Sequence, residues 1–264
     1  MELGIRGRAA AVAASSQGLG FACALELARE GAAVAICSRD RGRIEAAAAR
    51  IRAEVAGTTV HAAVGDLTRE EDARRFVDEA ASRFGRLDIL VTNSGGPAPG
   101  NFDQLALDDI RRGVDVSLVS PIVLMSAAIP HMRARGWGRI VNILSITAKQ
   151  PRTTLLVSST MRPGVMGFAK TVSIDVARDG ITVNNVAPGY TRTERLDELA
   201  EHLSRTQGRP IEDVFAEWTR SIPGQRLGRP EELAAVVTFL CSERAGYVTG
   251  ATVQVDGGSV QALF

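Results

Sequence analysis

The stretch from Arg8 to Asp40 constrains the fold most, because it reads as strand, glycine turn, helix and strand in unbroken succession. Residues 9–14 (AAAVAA) form a short apolar run suited to a buried strand. Ser15-Ser16-Gln17-Gly18-Leu19-Gly20 follows, with no bulky apolar side chain before Leu19. Residues 21–29 (FACALELAR) are rich in helix formers, and Gly31 ends them. Residues 32–37 (AAVAIC) make a second apolar strand that stops at Ser38-Arg39-Asp40. A strand feeding a helix through such a turn aims backbone N–H groups and a helix N-terminus at one spot, where a pyrophosphate can sit.

The glycine spacing is G-x-G rather than G-x-G-x-x-G: Gly18 and Gly20 are present, and Ala24 holds the next helix position open to a glycine. Arg39 sharpens the expectation. At the end of the second strand an acidic residue suits a ribose 2′-hydroxyl and an arginine suits a 2′-phosphate. Arg39 alone reads equally as a solvated loop charge; beside the glycine turn it favours NADP(H) over NAD(H). Asp40 stands one residue late for the ribose role and keeps NAD open.

The rest of the chain keeps alternating. Helices are predicted over 41–55, 69–84 (capped by Thr68 and stopped by Gly85), 107–134 (irregular at Pro121 and Pro130), much of 161–178, and 231–242. Strands are predicted over 58–64, 87–92, 139–144, 181–187 and 251–255. Residues 191–228 are polar, carry two Gly/Pro interruptions and are expected to form a mobile insertion closing over a substrate. No composition break marks a second domain. The expectation is one α/β domain: a doubly wound parallel sheet of about seven strands with helices on both faces. Gly18, Arg39, Asp66, Asn93, Ser145 and Pro188 all follow strand ends, where such sheets bind ligands.

Composition removes other classes. Lys+Arg total 31 against 30 for Asp+Glu, so no basic surplus points to nucleic acid. Cys23, Cys37 and Cys241 sit inside apolar segments and suit a reduced, cytoplasmic protein. His61, His131 and His202 lie too far apart for metal-ligand spacing, no signal peptide is evident, and no apolar run of membrane-spanning length is expected.

With these positions in place the chain resembles the short-chain dehydrogenase/reductase family across nearly all its length. The matching pieces are SSQGLG, GDL at 65–67, TNSGG at 92–96, VNILS at 141–145, ITVNNVAPGYTRT at 181–193 and YVTGATVQVDGG at 247–258. NSGGPAPG and the run from Ser145 to Thr171 are similar to the β-ketoacyl carrier-protein reductase-like members, apart from the catalytic pattern. The resemblance implies a Rossmann-type fold and NADP as cofactor. Ser15, Ser16, Gly18, Leu19 and Gly20 would form the pyrophosphate turn, Arg39 would meet the adenosine phosphate, and Asp66 and Leu67 the adenine. Asn93 and Gly95 would lie at the ribose region, and Pro188, Gly189 and Thr193 would line the nicotinamide and its phosphate. Ala14 stands where the family usually has glycine, a replacement expected to fit if its φ is negative.

The family's catalytic set is broken. Ser145 matches the serine that orients the carbonyl. Thirteen residues on stands Ser158, where the family has a tyrosine acid, and four further Arg162 replaces its lysine. Ser117 holds the position of the supporting asparagine. A serine hydroxyl is a far weaker acid than a phenol and falls short of its reach. Arg162 keeps the charge, but Pro163 is expected to delay or kink the helix there. Lys149 and Tyr190 are candidate replacements on loops at the rim; each also reads as an exposed lysine and a packing aromatic. Two functions follow. One is an NADP(H)-dependent oxidoreductase acting on a small carbonyl or acyl substrate, with Ser158, Lys149, Tyr190 or water giving the proton. The alternative is a dinucleotide-binding protein without redox activity. Family likeness further implies a homotetramer or homodimer.

Overall fold

The computed structural model describes residues 2–263. Seven strands, β1 (Ala9–Val12), β2 (Ala33–Ser38), β3 (Val60–Val64), β4 (Ile89–Thr92), β5 (Gly138–Ile143), β6 (Ile181–Pro188) and β7 (Thr252–Val255), form one sheet in the order β3-β2-β1-β4-β5-β6-β7. Every pairing is parallel. Strands β1, β4, β5 and β6 are buried along their whole length; β1 and β4 read as apolar runs, whereas β5 and β6 also bury Arg139, Asn142, Thr182, Asn184 and Asn185.

The helices are α1 (Gly18–Arg29), α2 (Arg41–Glu54), α3 (Glu70–Phe84), α4 (Leu107–Val114), α5 (Ser120–Arg133), α6 (Leu156–Val176), α7 (Glu194–Gln207), α8 (Ile211–Arg220) and α9 (Pro230–Leu240). One face of the sheet is covered by α1, α2 and α9 through Phe21, Leu27, Ile44, Ile51, Leu233 and Val237. The other is covered by α3, α5 and α6 through Phe76, Val77, Leu124, Met132 and Val165. The strand order reverses between β1 and β4, so the loops after these two strands part and leave a crevice.

Three local expectations give way to tertiary structure. Helix α6 begins before residue 161 and carries Pro163 in its second turn. An internal proline costs a helix about 3 kcal/mol. Burying Val157, Met161 and Val165, at roughly 1.5–3 kcal/mol each, outweighs that. Helix α3 is not capped by Thr68, whose hydroxyl donates instead to Asp66 at 2.8 Å. The irregularity in 107–133 is a π turn at Asp115–Val119, ahead of Pro121; Pro130 lies inside α5. Pro121 cannot donate to the carbonyl of Ser117, and the widened turn absorbs the missing bond.

The segment 191–228 holds two helices, α7 and α8. α7 and α8 bury Leu196, Ala200, Val214 and Trp218 against each other, and the polar residues are their outer faces. The segment is closed at its ends where Arg192 N–H donates to the Gly228 carbonyl at 2.8 Å and Gly228 N–H to that of Tyr190 at 2.9 Å. The helical run Leu107–Arg133 is long and apolar enough to span a membrane, against the expectation of no such run; here Leu124, Met125 and Met132 are fully buried in the protein core.

Candidate active site

The crevice holds two clefts. The first, of about 510 Å³, is lined by Ser16, Gly18, Leu19, Arg39, Asp66, Leu67, Asn93, Gly95 and Thr193. Gly18 starts α1 at φ +58°, a left-handed conformation that favours glycine. Gly20 lines no cleft. A Cβ there would overlap the carbonyl oxygen of Ala14, so its role is close packing of helix on strand. Asn93 ties the β4 loop to the turn, donating from Nδ2 to the same Ala14 carbonyl at 3.0 Å.

Two expectations for this turn are corrected. Ala14 has φ +46°, not a negative value. The turn is braced on both sides, and an L-residue held there costs about 1–2 kcal/mol. Ser15 is fully buried and away from both clefts: its hydroxyl donates to the Val12 carbonyl at 2.7 Å and accepts from Cys37 N–H at 3.1 Å. It holds the turn's shape and has nothing left for a ligand.

At the far end of this cleft, Asp40 caps α2 by accepting from Arg43 N–H at 2.8 Å. Its carboxylate is engaged, whereas Arg39 has no ion-pair partner among the described residues. Cys37 also lines the cleft, but burial pushes its thiol up to about 12, which keeps it neutral and unreactive.

The second cleft, of about 630 Å³, is lined by Ser145, Ser158, Arg162, Pro188, Gly189 and Tyr190, with Arg152, Leu155, Leu196 and Leu199. It shares Leu19, Asn93, Ser94, Gly96, Thr193 and Arg195 with the first, so the two meet at the start of α1 and α7. The two serines are bridged by Thr147, which the sequence did not single out. Its N–H donates to Ser145 Oγ at 3.2 Å, and its hydroxyl lies 2.8 Å from Ser158 Oγ.

Arg162 lies in the wall of this cleft, 6% exposed. It donates to the Ile143 carbonyl at 3.1 Å and to Ser94 Oγ at 3.4 Å, and its Nε is buried without a partner. Burial, with the nearby charge of Arg195, lowers its pKa to about 10, so it stays charged at neutral pH.

Lys149 lines neither cleft; it closes the short 3₁₀ turn Ile146–Ala148. The cation beside Tyr190 is Arg152 instead, donating from Nη1 to the phenol oxygen at 2.9 Å. Tyr190 in turn stacks on Trp218 of α8 with ring centroids 5.1 Å apart. Neither role was legible from sequence: Trp218 reaches Tyr190 through the fold of the 191–228 segment, and Arg152 reaches it from the loop ahead of α6. Ser117 is fully buried in the π turn with its hydroxyl unpartnered, and lines neither cleft.

A strand-end groove with an unpaired arginine at one end and two hydroxyls beside a buried guanidinium at the other fits an extended phosphorylated dinucleotide. The glycine turn, the start of α1, Asn93 and Thr193 would hold its middle, and the Arg162 guanidinium in the wall of the second cleft would lie beside its nicotinamide end.

Fold and groove together define a Rossmann-type α/β protein of the doubly wound class. A family model described as enoyl-(acyl carrier protein) reductase matches residues 13–260. The NADPH-dependent reductase BacG of Bacillus subtilis is 32% identical over 256 residues, covering 97% of this chain and 99% of that one. The bovine dehydrogenase/reductase SDR family member 4 is 34% identical over 257 residues, covering 97% and 88%. The structure of L-sorbose reductase from Gluconobacter frateurii, complexed with NADPH and L-sorbose, superposes with a TM-score of 0.95 over the full length of both chains at 32% identity. The chain belongs to the short-chain dehydrogenase/reductase family.

Proposed function

We propose that this protein is an oxidoreductase that transfers a hydride between NADP(H) and a carbonyl or alcohol substrate, through an active site built on Ser145, Ser158, Arg162 and Tyr190. The observation that carries this reading is the meeting of the two clefts, with Arg39 at the far end of one and Ser145 in the wall of the other. The NADPH-dependent relatives support it.

NADPH bound in the groove would supply the hydride. Ser145 accepts from Thr147 N–H, which leaves its own O–H to donate to the substrate carbonyl oxygen. Tyr190 accepts from Arg152, so its phenolic proton is free to pass to the developing alkoxide. Ser158 and Thr147 share a hydrogen bond beside that path and order it. Arg162 keeps a positive charge where the family has a lysine and holds the ribose. Helices α7 and α8 form the lid of this single domain.

The exposed Ile174 on α6, Phe239 on α9 and Tyr247 support assembly with further copies of the chain. A second reading, nucleotide binding without redox chemistry, draws on Ser158 and Arg162 standing where the family has tyrosine and lysine.

The test is NADPH oxidation against a panel of ketones, aldehydes and acyl thioesters. Turnover of any of them above background supports the reductase; tight NADPH binding with background rates throughout supports the second reading.

A further inference from the structure

The second cleft is strongly cationic. Arg152, Arg162 and Arg195 all line it, against Glu198 as its one carboxylate. None of the three arginines has a carboxylate within ion-pair distance among the described residues. Arg162 is buried with Nε unpartnered, and the charge of Arg195 bears on it. Like charges gathered in one cleft repel each other, and the repulsion is relieved when an anion enters.

The three differ in what they can serve. Arg195 lines both clefts and donates from Nη2 to the Pro97 carbonyl at 3.2 Å; Arg162 lies in the wall beside Ser94. Arg152 lines the second cleft alone, so its charge faces the substrate. It is also held in place. Its backbone N–H donates to Ser159 Oγ at 3.1 Å, Nη1 donates to Tyr190, and the guanidinium lies 5.0 Å from the centre of the tyrosine ring. Only Nη1 is spent, and a guanidinium carries five N–H donors in a fork that matches a carboxylate. Around it the walls are apolar, with Pro97, Leu155, Leu196 and Leu199.

Resting on the reductase reading, we infer that the substrate is an oxo carboxylic acid, its carboxylate taken by Arg152 and its apolar chain lying against Leu155, Leu196 and Leu199. The reaction is then reduction of the ketone to the hydroxy acid. NADPH gives the hydride, a proton from Tyr190 completes the alcohol, and the carboxylate is unchanged.

The experiment is calorimetric titration of the full chain, in saturating NADP⁺, with medium-chain oxo acids and their methyl esters. The acid is expected to bind roughly 10- to 100-fold tighter than its ester, as a charge-assisted hydrogen-bond pair requires. Arg152→Gln is expected to bring that ratio close to one, and Arg152→Lys to restore part of it, a pattern general damage to the fold does not produce. Equal binding of acid and ester by the wild type, binding of neither, or a ratio that survives in Arg152→Gln overturns the inference. The same acids are then assayed with NADPH by loss of its absorbance: acids that bind with the expected preference but are never reduced support the anion site and overturn the reductase reading instead.

Discussion

Arg162→Met is expected to stabilise the ligand-free protein while weakening its hold on NADP(H). Methionine matches the length of the arginine stem and carries no charge. The guanidinium is buried and has no anionic partner, and burial lowers its pKa by between two and three units from the ordinary arginine value, to about 10. At about 1.4 kcal/mol per pH unit that fall means the charge costs the folded state about 3 kcal/mol. The substitution forfeits the bond to the Ile143 carbonyl, worth about 1–1.5 kcal/mol. A net gain of about 1–2 kcal/mol remains, or roughly 2–6 °C in Tm.

The sign with pH follows from the unfolded chain holding the proton more tightly than the folded one. Below about pH 10 both states are charged and the cost is present in full; it is lost as the pH rises from there toward the ordinary arginine range. The gain is therefore flat across neutral pH and shrinks in strong alkali. Urea unfolding followed by tryptophan fluorescence measures it, with NADPH titration alongside. An apo variant less stable than the wild type refutes the reasoning, because it would mean the buried charge is a net structural asset.

Two further perturbations address the turn and the proton. Ala14→Gly relieves a left-handed alanine worth about 1–2 kcal/mol but loosens the unfolded chain by about 0.4–1 kcal/mol, so thermal unfolding should show a gain near 0.5–1 kcal/mol. A loss would mean the alanine is unstrained. Tyr190→Phe removes the proposed acid and should lower kcat by roughly 10²-fold or more in steady-state assays with little change in KM for NADPH; a variant with wild-type kcat takes Tyr190 out of the chemistry.

The sheet was legible in the sequence because its central strands are buried on both faces and carry short apolar runs, unbroken in 9–12 and 89–91. The glycine turn was legible because Gly18 needs positive φ. What was not legible depended on distant packing. The positive φ at Ala14 is imposed by a turn locked through Ser15 to β2. The early start of α6 is imposed by burial of Val157 and Met161. Arg152 reaches Tyr190 across 38 residues of sequence, and nothing local marks it as a partner. Lys149 was a better candidate by position alone and is aimed away from the clefts.

The most direct measurement is calorimetric titration of the wild type and of Arg39→Ala with NADPH and with NADH. One site per chain is expected, with NADPH bound at least roughly 10-fold tighter than NADH by the wild type and that preference lost in the variant, as removal of a charge-assisted phosphate contact predicts. Absence of heat from either nucleotide, or equal affinities for both in the wild type, would contradict the account.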